Sequence, residues 1–278
     1  MNHLKFTIRI PEATHEYLIA ELLDLDFYGF EQEEDTLTAY IQASHWNDVY
    51  REDLERLISH FPGSSLTATE EIEPRNWNEE WEKTIKPIEV GRFLVTPSWH
   101  ASRQDQDKIQ IIVDPKMSFG TGYHPTTRLM LRALERLDCR GTSVIDAGSG
   151  SGILGIAAAK LGASLVFAFD IDPVCYENAI ENAERNGVSA MSVQTGGISD
   201  VEIPVKADIT LANIHLAVLK HHLGDLKGWT KPDGYVLLSG LLETDIDEIG
   251  EAASAAGLEL LQKDQEEEWI CCKFRSTI

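Results

Sequence analysis

The segment VIDAGSGSG, residues 144–152, constrains the fold of this chain more than any other part of the sequence. A short hydrophobic stretch ends at Asp146 and passes through three alternate glycines into an alanine-rich stretch. Glycines allow a sharp turn and a close approach of the backbone to a ligand, and the N-terminus of a following helix offers free N–H groups. The pattern therefore predicts a strand, a ligand-binding turn and a helix. A tight turn that binds nothing is the alternative.

The same glycines also fit the dinucleotide-binding pattern GxGxxG, in the frame from Gly150 to Gly155. An NAD-dependent oxidoreductase is therefore an alternative function. In that pattern the first glycine directly follows the strand, whereas Gly150 lies four residues beyond Asp146. This spacing weighs against NAD as the ligand.

A second strand-like stretch, residues 166–170, also ends in an acidic residue, Asp170, which lies 22 residues after Gly148. A carboxylate at the end of such a strand can accept hydrogen bonds from both hydroxyl groups of a ribose. Asp172 is predicted instead to cap the helix that begins at Pro173. Asp170 is therefore the candidate ribose ligand.

Strand-like and helix-like segments alternate from about residue 87 to the end of the chain. This alternation predicts a parallel, doubly wound sheet. The polar turn at residues 263–268 joins the last two strands into a hairpin that ends in an antiparallel edge strand. The predicted strands are 88–95, 109–113, 143–146, 165–170, 191–194, 208–212, 235–239, 258–262 and 269–274, and the predicted helices are 125–137, 151–161, 173–186, 215–227 and 243–255.

Residues 1–73 predict a separate, small α+β domain. Its predicted strands are 4–10, 27–31, 37–41 and 65–72, and its predicted helices are 12–23 and 49–58. The order β-α-β-β-α-β fits a ferredoxin-like fold, which has no fixed function by itself. Residues 74–86 predict a charged linker helix with Trp77 and Trp81 on one face.

The charge of the chain narrows the choice of partner. The sequence has 24 basic and 46 acidic side chains, a formal net charge of −22. Such a surface repels phosphate backbones, so naked DNA or RNA is not an expected partner. The first 60 residues hold 13 acidic and four basic side chains, with a cluster at residues 31–35. This region is either a soluble acidic surface or one that attracts a basic protein.

Several other classes of protein are also excluded by the sequence. No apolar run approaches the roughly 18 residues that a membrane helix needs, and the N-terminus alternates like a strand instead of forming a signal peptide. The four cysteines show no CxxC spacing, so neither a disulfide framework nor a metal site is expected.

Residues 146–152 and Asp170 together resemble class I S-adenosyl-L-methionine-dependent methyltransferases, whose first motif is DxGxGxG and whose second strand ends in an acid. Three further segments make the resemblance more specific, namely FGTGYHPTT at 119–127, ANI at 212–214 and NWNEEW at 76–81. With these segments, essentially the whole chain is similar to the ribosomal protein L11 methyltransferase family.

The resemblance implies the cofactor S-adenosyl-L-methionine and a set of residues that contact it, which are Thr127, Gly148, Gly150, Asp170 and Asn213. It also implies a seven-stranded Rossmann-like methyltransferase domain over residues 87–278, after a ferredoxin-like domain over 1–73 that recognises the substrate. The implied activity is methylation of lysine side chains or the N-terminal α-amine of ribosomal protein L11 by a cytoplasmic monomer. Direct binding to DNA or to a membrane is not expected.

Four alternatives to that activity stay open at this point. The same fold could act on another protein or on a small molecule, and the NAD-dependent oxidoreductase is the third alternative. The fourth is a ribosome-assembly protein without enzymatic activity, against which the intact motif residues argue. Two positions depart from the family pattern near the substrate entrance: Tyr123, where a smaller residue or histidine is common, and His215, where an aliphatic residue is common.

Asn213 is also the candidate catalytic residue. Methyl transfer from a sulfonium requires an amine whose free lone pair is aligned with the bond between sulfur and the methyl carbon, so alignment and exclusion of water provide most of the acceleration. The carbonyl groups of Asn213, at the end of the predicted strand 208–212, can accept the amine hydrogens and orient that lone pair. Taken alone, Asn213 would be the N-cap of the helix 215–227.

Overall fold

A computed structural model of the chain describes residues 3–23, 25–72, 85–101, 107–114, 116 and 118–277. The chain divides into two compact units, Met1–Trp77 and Asn78–Ile278. Residues 74–84 of the predicted linker helix, which include Trp77 and Trp81, are not among the described residues. None of the helices that the described residues form has both the length and the apolar character needed to cross a membrane.

The first unit has the predicted order of elements and a four-stranded antiparallel sheet with the strand order β2-β3-β1-β4. Phe6 and Ile8 of the first strand and Leu37 and Ala39 of the third strand alternate onto one face, where the two helices cover them. The elements are β1 (His3–Arg9), α1 (His15–Leu23), β2 (Gly29–Glu33), β3 (Thr36–Gln42), α2 (Asp48–Ser59) and β4 (Ser65–Ile72).

The second unit contains a seven-stranded sheet and a separate three-stranded sheet. Its elements are β5 (Ile88–Val90), β6 (Phe93–Thr96), β7 (Ile109–Ile112), α3 (Pro125–Glu135), β8 (Ser143–Ala147), α4 (Ile153–Lys160), β9 (Leu165–Asp170), α5 (Pro173–Arg185), β10 (Met191–Thr195), β11 (Ala207–Asn213), α6 (Leu216–Trp229), β12 (Thr230–Leu242), α7 (Ile246–Ala255), β13 (Leu258–Glu266) and β14 (Trp269–Ser276).

The large sheet has the order β10-β9-β8-β11-β12-β14-β13. Strands β8 to β12 all run parallel to one another, and β14 runs antiparallel to both β12 and β13. Neighbouring residues of a strand serve opposite faces, as Val144 and Ile145 do, so a hydrophobic core lies on each side of the sheet. Helices α3, α4 and α5 contribute to one core, and α6 and α7 contribute to the other. The carboxyl ends of the five parallel strands therefore meet along one edge.

Two details of the predicted sheet are wrong. The last strand, β14, does not form the edge but lies between β12 and β13. It buries Cys271 on one face and Cys272 on the other, as expected for an inner strand of a sheet covered on both faces, whereas β13 is largely exposed. The turn between them is also shorter than predicted, because strand β13 continues to Glu266 and only Glu267 and Glu268 form the turn. Glu267 adopts the φ of 56° that such a tight hairpin turn requires.

The predicted strand over residues 88–95 is in fact a hairpin. Gly91, with φ of +56°, separates β5 from β6, and these strands form a small sheet with β7. The outer edge of β7 pairs with side-chain amides of α5 and of its C-cap residue. The C-cap Asn186 accepts from the Ile112 N–H at 2.9 Å and donates to the Ile112 carbonyl at 2.6 Å. Asn182 accepts from the Asp114 N–H at 3.0 Å. Helix α5 thus closes the edge of this sheet.

Candidate active site

The glycine motif forms a tight turn at the carboxyl edge of the large sheet. Gly148, Gly150 and Gly152 have φ values of +69°, +54° and +79°, in the left-handed region that favours glycine. A Cβ atom at Gly150 would lie 2.5 Å from the carbonyl oxygen of Phe119, and one at Gly148 would lie 2.9 Å from a methyl group of Ile214. The turn therefore requires glycine for both its conformation and its packing. Helix α4 begins two residues later than predicted, at Ile153.

Residues 118–124, which we call the covering loop, lie directly on this turn. The Ser151 N–H donates to the Phe119 carbonyl at 2.8 Å, and the Ser151 hydroxyl donates to the Gly120 carbonyl at 2.6 Å. The hydroxyl of Tyr123 accepts from the Lys86 N–H at 2.6 Å and donates to the Lys86 carbonyl. The loop is thus fastened at the glycine turn and at the segment before β5.

Asp170 lies next to the glycine turn at the end of β9. One of its carboxylate oxygens accepts from the Gly150 N–H at 2.8 Å, and the other accepts from the Asp172 N–H at 3.0 Å. Each oxygen has a further lone pair for a ligand. Asp172 accepts from the Val174 N–H at 2.8 Å, which confirms the predicted cap of α5.

Asn213 ends β11, the strand beside β8, and its side-chain oxygen is buried without a hydrogen-bond partner among the described residues. It does not cap the next helix, because α6 begins at Leu216 with His215 at the N-cap position and no side-chain cap. The alternative role as an N-cap is therefore wrong. The hydroxyl of Thr127, in the first turn of α3, is likewise buried without a described partner.

Asp146, near the end of β8, is a residue of the site for which the sequence pattern predicted no ligand role. Its side chain is 1% exposed; one carboxyl oxygen accepts from the Gly155 N–H at 2.8 Å, and the other has no partner among the described residues. Burial raises the pKa of this carboxyl to about 7, the nearby charge of Asp170 adds to the shift, and the Gly155 N–H opposes it. Asp146 is therefore an acid that can change its charge near neutral pH.

Further buried hydroxyl groups without described partners belong to Ser118 in the covering loop and Ser149 in the glycine turn. Buried polar atoms are almost always hydrogen-bonded in folded proteins, because desolvation without a partner is costly. Five such side chains, Ser118, Thr127, Asp146, Ser149 and Asn213, belong to the elements that meet at this edge. The arrangement fits a polar ligand that supplies the missing partners. The sequence pattern does not show which single polar atoms are buried. For this reason Thr127 and Asn213 were predicted as site residues, and Ser118, Asp146 and Ser149 were not.

Three aromatic rings lie beside the glycine turn. The centroids of Phe119 and His124 are 5.2 Å apart, and those of His124 and Trp269 are 4.8 Å apart. The covering loop belongs to a sequence motif, whereas no motif includes Trp269, which is the first residue of β14 and lies far from the loop along the chain.

Comparison with known proteins gives one consistent family. The family model described as "Ribosomal protein L11 methyltransferase (PrmA)" matches residues 12–277. The ribosomal protein L11 methyltransferase of Porphyromonas gingivalis is 37% identical over 268 residues, which cover 95% of this chain and 91% of that protein. The protein of the same name from Chlorobaculum parvum is 36% identical over 278 residues, covering 97% of this chain and 95% of that protein.

Solved structures agree in fold. The crystal structure of the ribosomal protein L11 methylase from Lactobacillus delbrueckii subsp. bulgaricus has a TM-score of 0.65 and 30% identity, and the match covers 70% of this chain and 100% of that chain. The tRNA m1G37 methyltransferase of M. jannaschii has a TM-score of 0.51 at 14% identity, a likeness of fold alone.

Proposed function

Because the chain belongs to the ribosomal protein L11 methyltransferase family, we propose that it transfers methyl groups from S-adenosyl-L-methionine to amino groups of ribosomal protein L11. The acceptors are lysine side chains, the N-terminal α-amine or both. The observation that best supports the proposal is a set of buried side-chain oxygens without described partners near the glycine turn. The turn itself has no space for a Cβ atom at Gly148 or Gly150.

The polar groups at this edge fit the parts of the cofactor. The free oxygens of Asp146 and Asn213 are acceptors for its α-ammonium group, and the hydroxyls of Thr127 and Ser149 are donors for its carboxylate. Asp170 has lone pairs for the ribose hydroxyls. Ile171, which follows Asp170 and is 75% exposed, offers apolar surface to the adenine ring. Gly148 and Gly150 leave room for the backbone to approach the ligand.

When bound, the cofactor supplies a methyl group made electrophilic by the sulfonium. The amine nitrogen of the substrate donates its lone pair to the methyl carbon, the electron pair of the carbon–sulfur bond stays with sulfur, and the displaced amine proton goes to solvent. A lysine amine has a pKa of about 10.4, so it must lose a proton before it reacts. We assign Asn213 the role of orienting the neutral amine through its carbonyl groups, beside its contact with the cofactor.

We propose that residues 1–73 form a domain that recognises the substrate, that 74–86 form a linker helix and that 87–278 form the methyltransferase domain. The strand order of the first unit, β2-β3-β1-β4, is that of a ferredoxin-like fold. The edge strand β2 and the turn after it present exposed acidic side chains at Glu31, Glu33, Glu34 and Asp35, which attract a basic partner. A ribosomal protein as substrate goes with a cytoplasmic enzyme, for which we propose a monomeric state.

The experiment uses purified ribosomal protein L11, isotopically labelled S-adenosyl-L-methionine and mass spectrometry of the product. We expect label on L11 with the wild-type chain. Asp170→Ala should bind S-adenosylhomocysteine about 10- to 100-fold more weakly in calorimetry, since charge-assisted hydrogen bonds are lost. Asp172→Ala is the matched control, because this carboxylate caps α5. Equal affinities of wild type and Asp170→Ala would contradict the assignment, and unlabelled L11 would contradict the function.

The same assay tests the role of the first unit. A double change of Glu33 and Glu34 to lysine should raise the KM for L11 and leave cofactor affinity unchanged. The control is a double change of Glu52 and Glu55 to lysine, because these exposed residues carry the same charge on α2, on the helix-covered side of the sheet. Equal KM values for the two variants would contradict recognition by the acidic turn.

A further inference from the structure

Phe119, His124 and Trp269, which we call the aromatic row, form a continuous series of ring contacts between two separate parts of the second unit. The rings of Phe119 and His124 are inclined by 59°, and those of His124 and Trp269 by 68°, so each pair makes a tilted or edge contact. Phe119 is 51% exposed. A large apolar ring that stays half exposed at such a site is available to a ligand.

Both ends of the row are anchored at the edge that holds the candidate site. At one end, the Phe119 carbonyl accepts the Ser151 N–H of the glycine turn at 2.8 Å. At the other end, Trp269 precedes Ile270, whose carbonyl accepts from the Ser239 hydroxyl at 2.7 Å. Ser239 is the register partner of Asn213 on the neighbouring strand. The row therefore lies beside the proposed site of methyl transfer.

The row itself is uncharged near neutral pH. Burial lowers the pKa of His124 below its ordinary value, and the neighbouring Arg128 guanidinium lowers it further. The His124 Nδ1 accepts from the Thr126 N–H at 3.3 Å, as an unprotonated nitrogen does. Arg128 is itself engaged, because it forms an ion pair with Glu266 at 2.5 Å and donates to the Tyr123 carbonyl.

Negative charge borders the row. Glu267 and Glu268 form the exposed turn that precedes Trp269, and both carboxylates act to raise the pKa of His124. Arg128, the cation beside His124, is neutralised by its ion pair with Glu266. Aromatic faces with carboxylates nearby attract organic cations, and quaternary ammonium groups are the ligands that such surfaces bind best.

We propose that the aromatic row, with Glu267 and Glu268, is the surface on which the alkylammonium group of the methyl acceptor binds before it loses its proton, and on which its methylated products bind. The assignment rests on the proposed function for the identity of the acceptor. It makes Phe119 and Trp269 specificity-determining residues. Such a surface binds the partly methylated amine as well as the unmethylated one.

The test measures binding of a small cation without any transfer of methyl groups. Choline is the probe, and 3,3-dimethylbutan-1-ol is its uncharged isostere. Binding to the full chain, saturated with S-adenosylhomocysteine, is followed by saturation-transfer NMR of the probe's methyl protons. Wild type should bind choline and bind the isostere several-fold more weakly. Trp269→Leu should weaken choline binding by about 2- to 30-fold, as expected for loss of one aromatic face.

Matched variants separate the row from general effects. Trp269→Phe keeps an aromatic face and should retain most of the choline affinity, while Trp99→Leu removes a 45% exposed tryptophan outside the row and should change nothing. If Trp269→Leu fails to fold, Phe119→Leu at an exposed position takes its place in the choline-binding test. Affinity for S-adenosylhomocysteine should stay unchanged in every folded variant.

Failure of this inference is distinguishable from failure of the proposed function. Two results would overturn the row as an ammonium site even if L11 is methylated. One is a choline affinity that stays the same in Trp269→Leu and Phe119→Leu, and the other is equal affinity for choline and its uncharged isostere. Choline binding that depends on Trp269 would support the row even with L11 unmethylated. With L11 as substrate, the folded Trp269→Leu protein should also show a higher KM and a shift of products towards the monomethylated amine.

Discussion

The replacement Asp146→Asn should remove a pH dependence from the stability of the second unit. The buried carboxyl has a pKa of about 7 in the folded protein, against an ordinary value of 3.8. Between these two values the folded chain keeps a proton that the unfolded chain has lost. The stabilising contribution of this proton is therefore fully present below the lower pKa. The free energy of unfolding falls as the pH rises from the lower pKa through the higher one.

The magnitude follows from the two pKa values. One pKa unit corresponds to about 1.36 kcal/mol, so ionisation of this carboxyl costs the folded state about 4 kcal/mol in full. Roughly half of this loss has occurred by about pH 5.5, which leaves about 2 kcal/mol between about pH 5.5 and about pH 8. The variant has no titrating group at position 146. Its free energy of unfolding, minus that of wild type, should therefore rise by about 2 kcal/mol over this range.

Amide hydrogen exchange of β8 and α4, followed by mass spectrometry, measures the opening free energy of the region that holds Asp146. Comparing the two proteins at each pH cancels the contribution of His124, whose lowered pKa makes stability rise with pH in the same range. Saturating S-adenosylhomocysteine should reduce the slope of wild type, since its ammonium group favours the ionised carboxylate. A difference between the proteins that stays constant with pH would refute the reasoning.

Two other replacements test how the edge of the site is built. Gly150→Ala should lower the affinity for S-adenosylhomocysteine by at least about tenfold, because the new Cβ atom meets the Phe119 carbonyl at 2.5 Å. Gly187→Ala, at φ of +64° with nothing within 4 Å, carries the same backbone strain without the contact and should leave the affinity unchanged in calorimetry. Tyr123→Phe removes both hydrogen bonds to Lys86 and should speed amide exchange in the covering loop, at a cost of about 1–2 kcal/mol to its opening free energy. Tyr17→Phe, at a 70% exposed ring, is its control, and equal exchange in both proteins would show that the loop is held by other contacts.

The sequence predicted those features of the site that depend on local pattern. A hydrophobic run that ends at an acid and continues into alternate glycines specifies a strand, a turn and a helix together, so the places of Gly148, Gly150 and Asp170 followed from spacing. The split of residues 88–95 was missed, because Ile88, Val90 and the apolar residues 93–95 are typical of strands on both sides of Gly91, and a glycine alone does not distinguish a turn from a strand.

Other features depend on tertiary structure and have no local signal. Trp269 joins Phe119 and His124 only because β14 inserts between β12 and β13 and brings its first residue to the edge of the site. The free oxygen of Asp146 is a property of packing around the side chain, which a pattern of residue types does not describe. The N-cap role predicted for Asn213 taken alone was wrong, because the helix begins later than the periodicity indicated.

The side-chain amides on the outer edge of β7 have a consequence for self-association. An open strand edge is a template on which a second chain can add a strand and start an aggregate. Asn186 presents a donor and an acceptor to Ile112, and Asn182 presents an acceptor to Asp114, so a helix satisfies the groups that a foreign strand would use. A carboxylate at position 186 would oppose the Ile112 carbonyl and leave that edge open. The two asparagines therefore block the addition of a foreign strand at this edge.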